Sequence, residues 1–492
     1  MISFEEFSEL SKHYNVIPIA KALFSGTETP VGIYTKLCAE RENTFLLESA
    51  EQGVWGRYSF VGVGSRGVLS ATAHVSWESD AKALPEGELS DDPAIALRQM
   101  QSSWRQAPSE FPLSSGLVGF LSWGAVNLIE KLPPPGEADY ELPLYRFTQF
   151  DSLVVMDHKT AQLLLVSVVF IDGSDLRGSY DQAVARIEAL QVELSKPTPT
   201  TLSEPNWPDP QYTKRTSRAD FLNQVEQAKE YVRKGDVFQV VISQRFDQEI
   251  EADALDVYRA LRALNPSPYM YLTRWQDDSG AFSIVGSSPE ALVKVSGRHV
   301  ITHPIAGSRP RGGDAASDLA LADELSADAK ERSEHLMLVD LSRNDLLRVC
   351  DPESLQVSEF MQIHRFSHIM HLVSTVEGDL RDGMTAVDAV LATFPAGTLS
   401  GAPKPRAMEI IHELEPSYRG LFGGVIGYFD YEGNSDLAIA IRTALIRDGV
   451  ARIQAGAGIV LDSVPEAEYA ETEAKAAVVL RAVAAANAMR HA

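Results

Sequence analysis

The segment 394–408, FPAGTLSGAPKPRAM, constrains the fold of this chain more than any other segment. Glycine, proline and hydroxyl residues are so dense in it that regular secondary structure is not expected. The residues that follow have the apolar spacing of a helix. Such a loop can bring backbone N–H groups and hydroxyls to an anion at a helix N-terminus, where the helix dipole favours negative charge. The sequence therefore predicts an anion-binding loop here.

Composition places the chain among large acidic globular proteins. It has 492 residues, 45% of them apolar, which is enough to bury a large core and predicts two or more lobes. The 44 Lys and Arg against 68 Asp and Glu leave a net charge of −24, which argues against nucleic acid or an anionic membrane as the main partner.

The two cysteines, Cys38 and Cys350, are isolated in the sequence and predict no disulfide. The first residues, MISFEE, are too acidic for a signal peptide, and no apolar run approaches the length of a membrane span. These features together predict a cytoplasmic protein.

Local patterns divide the chain into three parts. Residues 1–195 are rich in predicted strands and form the first lobe. Residues 196–215 contain the proline-rich stretch KPTPTTLSEPNWPDP and predict an exposed linker. Residues 216–492 alternate helix and strand and form the second lobe. The predicted strands cover 153–157, 163–172, 237–246 and 437–446, and the predicted helices cover 180–194, 221–234 with Ser217 as N-cap, and 466–489.

Two pairs of glutamates have a helical spacing of three residues. Glu331 and Glu334 lie in a segment of helical period, and Glu468 and Glu471 lie in a helix that begins near Pro465. Two such pairs facing each other would bind Mg²⁺, a hard cation that prefers carboxylate oxygens. The same spacing is typical of solvated helix faces, so spacing alone leaves both interpretations open.

Three further positions carry possible chemistry, each with a structural alternative. Gly456 and Gly458 interrupt an apolar strand and indicate either a bulge or the close approach of a ligand. His368 and His371 lie in a strand-like segment and face opposite ways, so only one can point into a site. Glu290 ends the turn GSSPE and is either an exposed turn residue or a buried acid with a raised pKa.

Three segments together resemble a known family: FPAGTLSGAPKPRAM, PIAGSRPRG at 304–312, and QAGAGIV at 454–460. They are similar to the chorismate-binding enzymes and, within them, to the large subunits of anthranilate synthases. The resemblance implies an α+β fold with two lobes around a β-rich core and helices outside. It also implies a lyase that converts chorismate and ammonia to anthranilate and pyruvate in tryptophan biosynthesis.

The resemblance assigns roles to individual residues. The implied catalytic residues are Glu290, His371, Thr398 and Gln239. Glu290 would be the acid, His371 would assist the elimination of pyruvate, and Thr398 would lie near His371. The implied substrate-binding residues are Gly307, Ser308, Gly401, Phe422, Arg442, Gly456, Ala457, Gly458 and Lys475. The implied ligands of the cofactor Mg²⁺ are Glu331, Glu334, Glu468 and Glu471. Phe422 departs from the family, because many relatives have Tyr there.

Two positions separate this chain from relatives that share the scaffold. Gln239 stands where enzymes that add water carry a lysine base, and an amide that cannot take a proton suits ammonia as the nucleophile. Ala306 stands where aminodeoxychorismate synthase carries a nucleophilic lysine, which excludes covalent catalysis at this position. Component I of that enzyme is the alternative within the family. A catalytically silent regulatory subunit is the alternative of another class.

The resemblance also implies an inhibitory site for tryptophan. Its residues are Leu47, Glu48, Ser49, Asn265, Pro266, Ser267, Pro268, Tyr269 and Met270. A carboxylate and hydroxyls suit an α-amino group, while Pro and Met form an apolar slot for an indole. Strand-end packing and a proline turn are the alternative explanation.

The nitrogen source is expected to be a second protein. Neither Cys38 nor Cys350 lies in the small-residue turn that a glutamine-hydrolysing nucleophile needs. The expected partner is a glutamine amidotransferase, anthranilate synthase component II, in a heterotetramer.

Overall fold

The computed structural model describes residues 1–39, 41–49, 56–173, 175–199, 202–365 and 369–489. His368 and residues 200 and 201 of the predicted linker lie outside this set. The α-helices are α1 (Phe4–Leu10), α2 (Pro30–Cys38), α3 (Pro93–Ser102), α4 (Leu176–Leu194), α5 (Arg218–Lys234), α6 (Ala254–Leu264), α7 (Ala315–Ala327), α8 (Ala329–Leu347), α9 (Ala386–Thr393), α10 (Lys404–Leu414) and α11 (Pro465–Asn487).

The strands are β1 (Val16–Phe24), β2 (Thr44–Glu48), β3 (Tyr58–Ala71), β4 (Val75–Glu78), β5 (Gly116–Leu121), β6 (Tyr145–Asp157), β7 (Gln162–Phe170), β8 (Thr213–Lys214), β9 (Gln239–Glu249), β10 (Tyr269–Asp277), β11 (Gly280–Ser288), β12 (Ala291–Ser296), β13 (His299–Thr302), β14 (Ile305–Pro310), β15 (Gln356–Arg365), β16 (Ile369–Asp379), β17 (Gly401–Ala402), β18 (Val425–Asp430), β19 (Ser435–Ile439), β20 (Thr443–Arg447) and β21 (Val450–Ile459). Short 3₁₀ helices cover Trp123–Leu128 and Gly397–Leu399. The predicted α+β class is confirmed.

Antiparallel pairings join the strands into one network that crosses from the first part of the chain to the last. Leu46 of β2 lies opposite Leu272 of β10, and Gly119 of β5 lies opposite Gly427 of β18. The predicted linker at 196–215 therefore does not divide the strand network into two parts, because strands before it pair with strands after it.

Two large apolar cores lie against this network, and each draws on both ends of the chain. One contains Trp104, Trp123 and Phe147 together with Ile459 near the C-terminal end. The other contains Tyr34 and Tyr258 together with Val483 of α11. Within the described ranges, no helix has both the length and the apolarity of a membrane span.

Most predicted elements are present with shifted ends. The helix predicted over 221–234 is α5, and its N-cap is Ser217, whose side chain accepts a hydrogen bond from the N–H of Asp220. The helix predicted over 180–194 is the longer α4, and the one predicted over 466–489 is α11.

Two predictions of local structure were wrong. Segment 394–408 is not irregular throughout, because α10 begins within it at Lys404. Pro405 does not prevent this helix, since the first turn of a helix has no use for the N–H that proline lacks. The strand predicted over 437–446 is broken into β19 and β20, and Arg442 lies between them with φ of +50°.

Candidate active site

The central feature of the candidate site is the ladder between β9 and β21. Its register is unbroken and pairs Val241 with Gly458 and Ser243 with Gly456, so the two glycines do not form a bulge. A Cβ atom at Gly458 would lie 2.3 Å from Nε2 of Gln239, and one at Gly456 would lie 2.9 Å from Cγ1 of Val241. The glycines therefore leave room for the side chains of Gln239 and Val241 to lie against this face of the strand.

Ala457 and Gly401, which lie beside the two glycines, present backbone atoms to the candidate site, whereas Gln239 presents its side chain. Ala457 is fully buried and, by strand alternation, its methyl group points away from the face of the two glycines. Gly401 of β17 lies opposite Val240, and a Cβ atom there would lie 2.2 Å from the carbonyl oxygen of Gln239. The Oε1 atom of Gln239 is buried and has no hydrogen-bond partner among the described residues.

Glu290 follows β11 and is half-buried, so it is not an exposed turn residue. The residue is partly exposed as a whole, but its carboxyl group is enclosed by protein. Burial raises the pKa of Glu290 to about 7, against the opposing effects of the Thr398 hydroxyl and the charges of Lys475 and Arg442. Oγ1 of Thr398 donates a hydrogen bond to Oε1 of Glu290 at 3.1 Å. The carboxyl group can therefore hold a proton near neutral pH.

His371 lies on β16 opposite Ser308 of β14. Its Nδ1 atom is 3.1 Å from the carbonyl oxygen of Gly307, which can only accept, so the neutral ring carries its proton on Nδ1. Burial lowers the pKa of His371, the bond to Gly307 opposes this, and the charge of Arg442 lowers the pKa further. The imidazole is thus neutral at neutral pH. Thr398 was expected beside His371, but the bond that its hydroxyl donates goes to Glu290.

Gly307 gives β14 an irregularity that only glycine adopts readily. The register shifts between Ala306 and Ser308, and Gly307 has φ of +64°. A Cβ atom there would lie 2.9 Å from Oε2 of Glu331, so the backbone approaches this carboxylate closely. Ser308 itself is exposed.

Two cationic side chains are near the acid and the glycine strand. Nη1 of Arg442 lies 3.5 Å from Oδ1 of Asn265, and burial lowers the pKa of this arginine while the charge of Glu290 raises it. Nζ of Lys475 donates to the carbonyl oxygen of Gly456 at 2.9 Å and lies 2.6 Å from Oε1 of Glu471. These charges make the face attractive to an anion.

Phe422 is buried and packs on a buried arginine. The guanidinium carbon of Arg419 is 5.4 Å from the centre of the Phe422 ring. Phe422 also lines a cavity of about 20 Å³ together with Thr443 and Gln454.

The four glutamates predicted as metal ligands lie in the first two turns of α8 and α11. Burial raises the pKa of Glu334, and the charges of Glu331 and Glu471 raise it further. Burial also raises the pKa of Glu468, with a smaller contribution from Glu471. In the part of the chain that is described, no three His, Cys, Asp or Glu side chains form a ready-made metal-binding cluster. The donor chemistry nevertheless fits Mg²⁺, because the charges of Glu331 and Glu471 act on Glu334, that of Glu471 acts on Glu468, and a hard cation relieves such repulsion.

A cavity of about 550 Å³ lies where β2 meets β10. In this pairing Met270 is opposite Glu48. Among the residues predicted to bind tryptophan, those that line the cavity are Leu47, Glu48, Ser49, Pro268, Tyr269 and Met270. The hydroxyl of Ser49 is buried there and has no hydrogen-bond partner within the described ranges. The structure thus brings together two distant segments of the sequence around one cavity.

The remaining residues of this predicted set face elsewhere. Asn265 donates from Nδ2 to the hydroxyls of Ser267 and Ser287, each at 3.1 Å, and Pro266 lies between Asn265 and Ser267 in the chain. The set is therefore divided between the cavity and a hydrogen-bonded cluster beside Arg442.

Glu48, predicted to hold an amino group, already has partners. Its Oε1 atom accepts from the hydroxyl of Tyr258 at 2.6 Å and from Nε of Arg262 at 2.9 Å. A ligand in the cavity would therefore meet a carboxylate whose charge is already balanced by Arg262.

Sequence reasoning missed Arg419 and Glu415, which tie the loop to the sheet. Both are buried, and Arg419 donates to the carbonyl oxygens of Leu399 at 2.6 Å and Val241 at 2.8 Å while it pairs with Glu415. The only sequence signal is their spacing of four, which has predictive value inside a helix and not in the turn where this pair lies.

Comparisons with known proteins agree on one family. The sequence profile described as chorismate binding enzyme matches residues 42–481. Anthranilate synthase component 1 of Arthrobacter globiformis is 48% identical over 501 residues, covering 99% of this chain and 94% of that protein. The crystal structure of anthranilate synthase component I from Streptococcus pneumoniae aligns with a TM-score of 0.75 at 33% identity, covering 93% of this chain and 99% of that one. The menaquinone-specific isochorismate synthase of Escherichia coli, at 19% identity with a TM-score of 0.71 and coverage of 97% and 98%, shares the fold.

Replacing Thr398 by Val removes the hydroxyl that contacts Glu290 and keeps a branched side chain of similar shape. Because the donated hydrogen bond stabilises the ionised carboxylate, we expect the variant to raise the pKa of Glu290 above its value of about 7. Difference infrared titration measures this, with Glu290→Gln subtracted to isolate the carboxyl band. A pKa that stays the same or falls would contradict the assigned contact.

Proposed function

The chain belongs to the chorismate-binding enzymes and, within them, to the anthranilate synthase component 1 family, and on that basis we propose how it makes anthranilate and pyruvate from chorismate and ammonia. The observation that supports this chemistry best is the buried carboxyl group of Glu290, whose pKa of about 7 allows it to donate a proton. It lies near the charges of Arg442 and Lys475, which suit a substrate with two carboxylates.

In the first step, ammonia attacks the ring carbon next to the ring carboxylate of chorismate. Both ring double bonds shift, the ring hydroxyl leaves, and the proton from Glu290 converts that hydroxyl to water, while the new ammonium group on the ring releases one proton and becomes an amine. Oε1 of Gln239, buried without a described partner, would accept a hydrogen bond from ammonia and hold it for attack. Gln239 takes no proton, which suits a nucleophile that arrives neutral.

In the second step, the proton on the ring carbon that carries the amine is removed and the ring carbon–oxygen bond to the enolpyruvyl group breaks, so that the ring becomes aromatic and the released enolpyruvate takes up a proton to form pyruvate. A neutral His371 with its proton on Nδ1 presents Nε2 as a proton acceptor. We propose that His371 assists this elimination. Its bond to Gly307 sets the orientation of the ring.

Mg²⁺ would be held by Glu331, Glu334, Glu468 and Glu471, where it would neutralise the ring carboxylate of the substrate. Lys475 pairs with Glu471 and also donates to Gly456, so it links this acidic group to the glycine strand.

The alternative activities have less support. Ala306 has only a methyl group on β14 and offers no nucleophile for the covalent route of aminodeoxychorismate synthase. A catalytically silent subunit would have no need of a buried acid that contacts Thr398 while a neutral imidazole contacts Gly307.

The proposed partner is a glutamine amidotransferase, component II, in a heterotetramer. Burial raises the pKa of Cys38 to about 12 and that of Cys350 to about 11, so neither thiol is a reactive thiolate at neutral pH. Two free, buried cysteines also fit the reducing cytoplasm, which we propose as the location.

Tryptophan is the proposed occupant of the 550 Å³ cavity. Pro268 and Met270 give the cavity an apolar side, and the unpartnered Ser49 hydroxyl is available to a polar group. Pro289, which immediately precedes Glu290, lines the same cavity. A ligand there would bias the position of the acid and oppose chorismate binding, and linkage requires that chorismate weaken tryptophan binding equally.

The purified chain is expected to form anthranilate from chorismate with ammonium and Mg²⁺, and none with glutamine until a cognate amidotransferase is added. The reason is that no reactive thiol is present to hydrolyse glutamine. Fluorescence and chromatography of the product provide the measurement, with Glu290→Gln as the inactive control. A main product of 4-amino-4-deoxychorismate, salicylate or isochorismate would refute the proposed function.

Changing Glu334 or Glu471 to Gln removes one charged ligand from the proposed magnesium site. We expect the Mg²⁺ concentration for half-maximal activity to rise at least about tenfold, with little turnover at low Mg²⁺. Titration of activity with Mg²⁺ after chelation measures this. Glu466→Gln is the matched control, because Glu466 lies on the same helix but pairs with the exposed Arg218. Unchanged Mg²⁺ dependence in both ligand variants would reject the metal assignment.

Ser49→Phe places a large ring in the cavity between β2 and β10. We expect it to weaken tryptophan binding and relieve inhibition while uninhibited turnover and Mg²⁺ dependence stay near those of the wild type. Calorimetry of tryptophan with both proteins is the direct measurement. Ser102→Phe, at an exposed position on α3, is the control. Equal affinity in wild type and Ser49→Phe would show that these segments serve packing only.

A further inference from the structure

Lys404 and Asp345 form a buried ion pair that the proposed chemistry does not use. Nζ of Lys404 lies 2.5 Å from Oδ2 of Asp345, and both residues are less than a tenth exposed. Burial lowers the pKa of Lys404 and raises that of Asp345. Removing two charges from water is costly, and a cation in the first turn of a helix opposes the helix dipole. Local helix stability therefore does not explain a lysine at the start of α10.

The same ammonium group closes the anion-binding loop at its base. Nζ of Lys404 also donates to the carbonyl oxygen of Thr393 at 2.7 Å. Thr393 is the last residue of α9 and Lys404 is the first of α10, so this bond joins the two ends of the loop 394–403.

Asp345 attaches the closed loop to α8, and a second contact lies one turn earlier on the same helix. A Cβ atom at Gly397 would lie 2.2 Å from Cδ2 of Leu341, so the loop backbone rests directly on this side chain. The loop is thus fixed to α8 at Asp345 and at Leu341. The same helix contains Glu331 and Glu334 in its first two turns. One rigid element therefore supports both the loop and two of the four proposed Mg²⁺ ligands.

The loop carries Thr398, whose hydroxyl contacts Glu290. A cavity of about 40 Å³ is lined by Asp345, Thr393, Gly397, Thr398 and Glu290, which places one member of the ion pair and the acid around the same small space. We propose that Lys404 and Asp345 are positioning residues, which hold the loop so that Thr398 keeps its hydrogen bond to Glu290 and orients the acid. This inference rests on the proposed role of Glu290 as proton donor.

Other charged groups face Glu290 and the Lys404–Asp345 pair, and none of them is substituted in the experiment below. Lys475 and Arg442 face Glu290, Arg348 faces both members of the ion pair, and His303 lines the shared cavity. A change in the pH profile of a variant of Lys404 and Asp345 therefore reports the loop and its hydroxyl.

The test is a double-mutant cycle between the ion pair and Thr398. In one arm Lys404→Met and Asp345→Leu replace the pair by apolar side chains, a change that often leaves stability nearly unaltered. In the other arm Thr398→Val removes only the hydroxyl. We expect each arm to lower kcat roughly tenfold or more with a smaller change in KM for chorismate. The combination should lose no more than the larger single effect, because both arms remove the same contact.

The pH profile gives a readout that a merely structural role would not move. Turnover needs the protonated acid, so kcat falls as pH rises through the pKa of Glu290. Loss of the hydroxyl contact raises that pKa, and the alkaline limb should move to higher pH to the same extent in both arms. Lys404→Arg, which keeps both donated bonds within reach, should retain the wild-type limb.

The positioning role would be overturned if the decreases in kcat of the two arms multiply in the combined variant. It would also be overturned if the alkaline limb of the kcat profile moves only with Thr398→Val. Thermal unfolding checks that each variant is folded. If the apolar pair does not fold, Asp345→Asn replaces it in the same cycle and the same two outcomes apply. Glu290→Gln separates the two levels of proposal, because wild-type turnover in that variant refutes the acid itself, whatever the ion pair does.

Discussion

The register between β9 and β21 is the constraint on which the rest of the site depends. It holds from Val450 opposite Glu249 to Ile459 opposite Val240 without a shift. Because side chains alternate along a strand, a slip of one residue would turn Gln239 and both glycines away from the site. The same ladder supports β17 on its other edge, and through Gly401 it positions the loop that carries Thr398. Backbone pairing thus determines how Gln239, the glycine strand and the loop are placed relative to one another.

Burial gives similar carboxyl groups different properties in a chain of net charge −24. Glu290 is enclosed, has cations nearby and is held near a pKa of 7. Glu334 and Glu468 lie near the starts of two helices, where burial and neighbouring carboxylates raise their pKa values. Asp318, in contrast, is paired with Arg311 and Arg365, and the hydrogen bond from Arg311 holds its pKa well below the usual range. Environment, and not residue type, separates these roles.

The sequence predicted the helices that have caps and clear periodicity, such as α5 with Ser217. The resemblance assigned the site residues, and the structure places Gln239, Gly401, Gly456 and Gly458 on three neighbouring strands, while their roles stay predictions. Contacts between distant residues were not predictable, since Lys404 meets Asp345, and Glu48 meets Tyr258, only after the chain has folded. The break at Arg442 was missed because the flanking residues have strand-like composition on both sides. The magnesium and tryptophan sites remain predictions.

The strand network has a consequence for how the chain can fold as it is synthesised. Gly119 of β5 pairs with Gly427 of β18, and Leu46 of β2 pairs with Leu272 of β10. During synthesis, β2 and β5 are therefore made long before these partner strands. Contacts of such large sequence separation are slow to form and leave apolar strand edges uncovered in the meantime. The first third of this chain is therefore a poor independent unit. A product truncated before β10 would leave one edge of β2 and one edge of β5 without a partner strand, and unpaired edges of this kind favour aggregation.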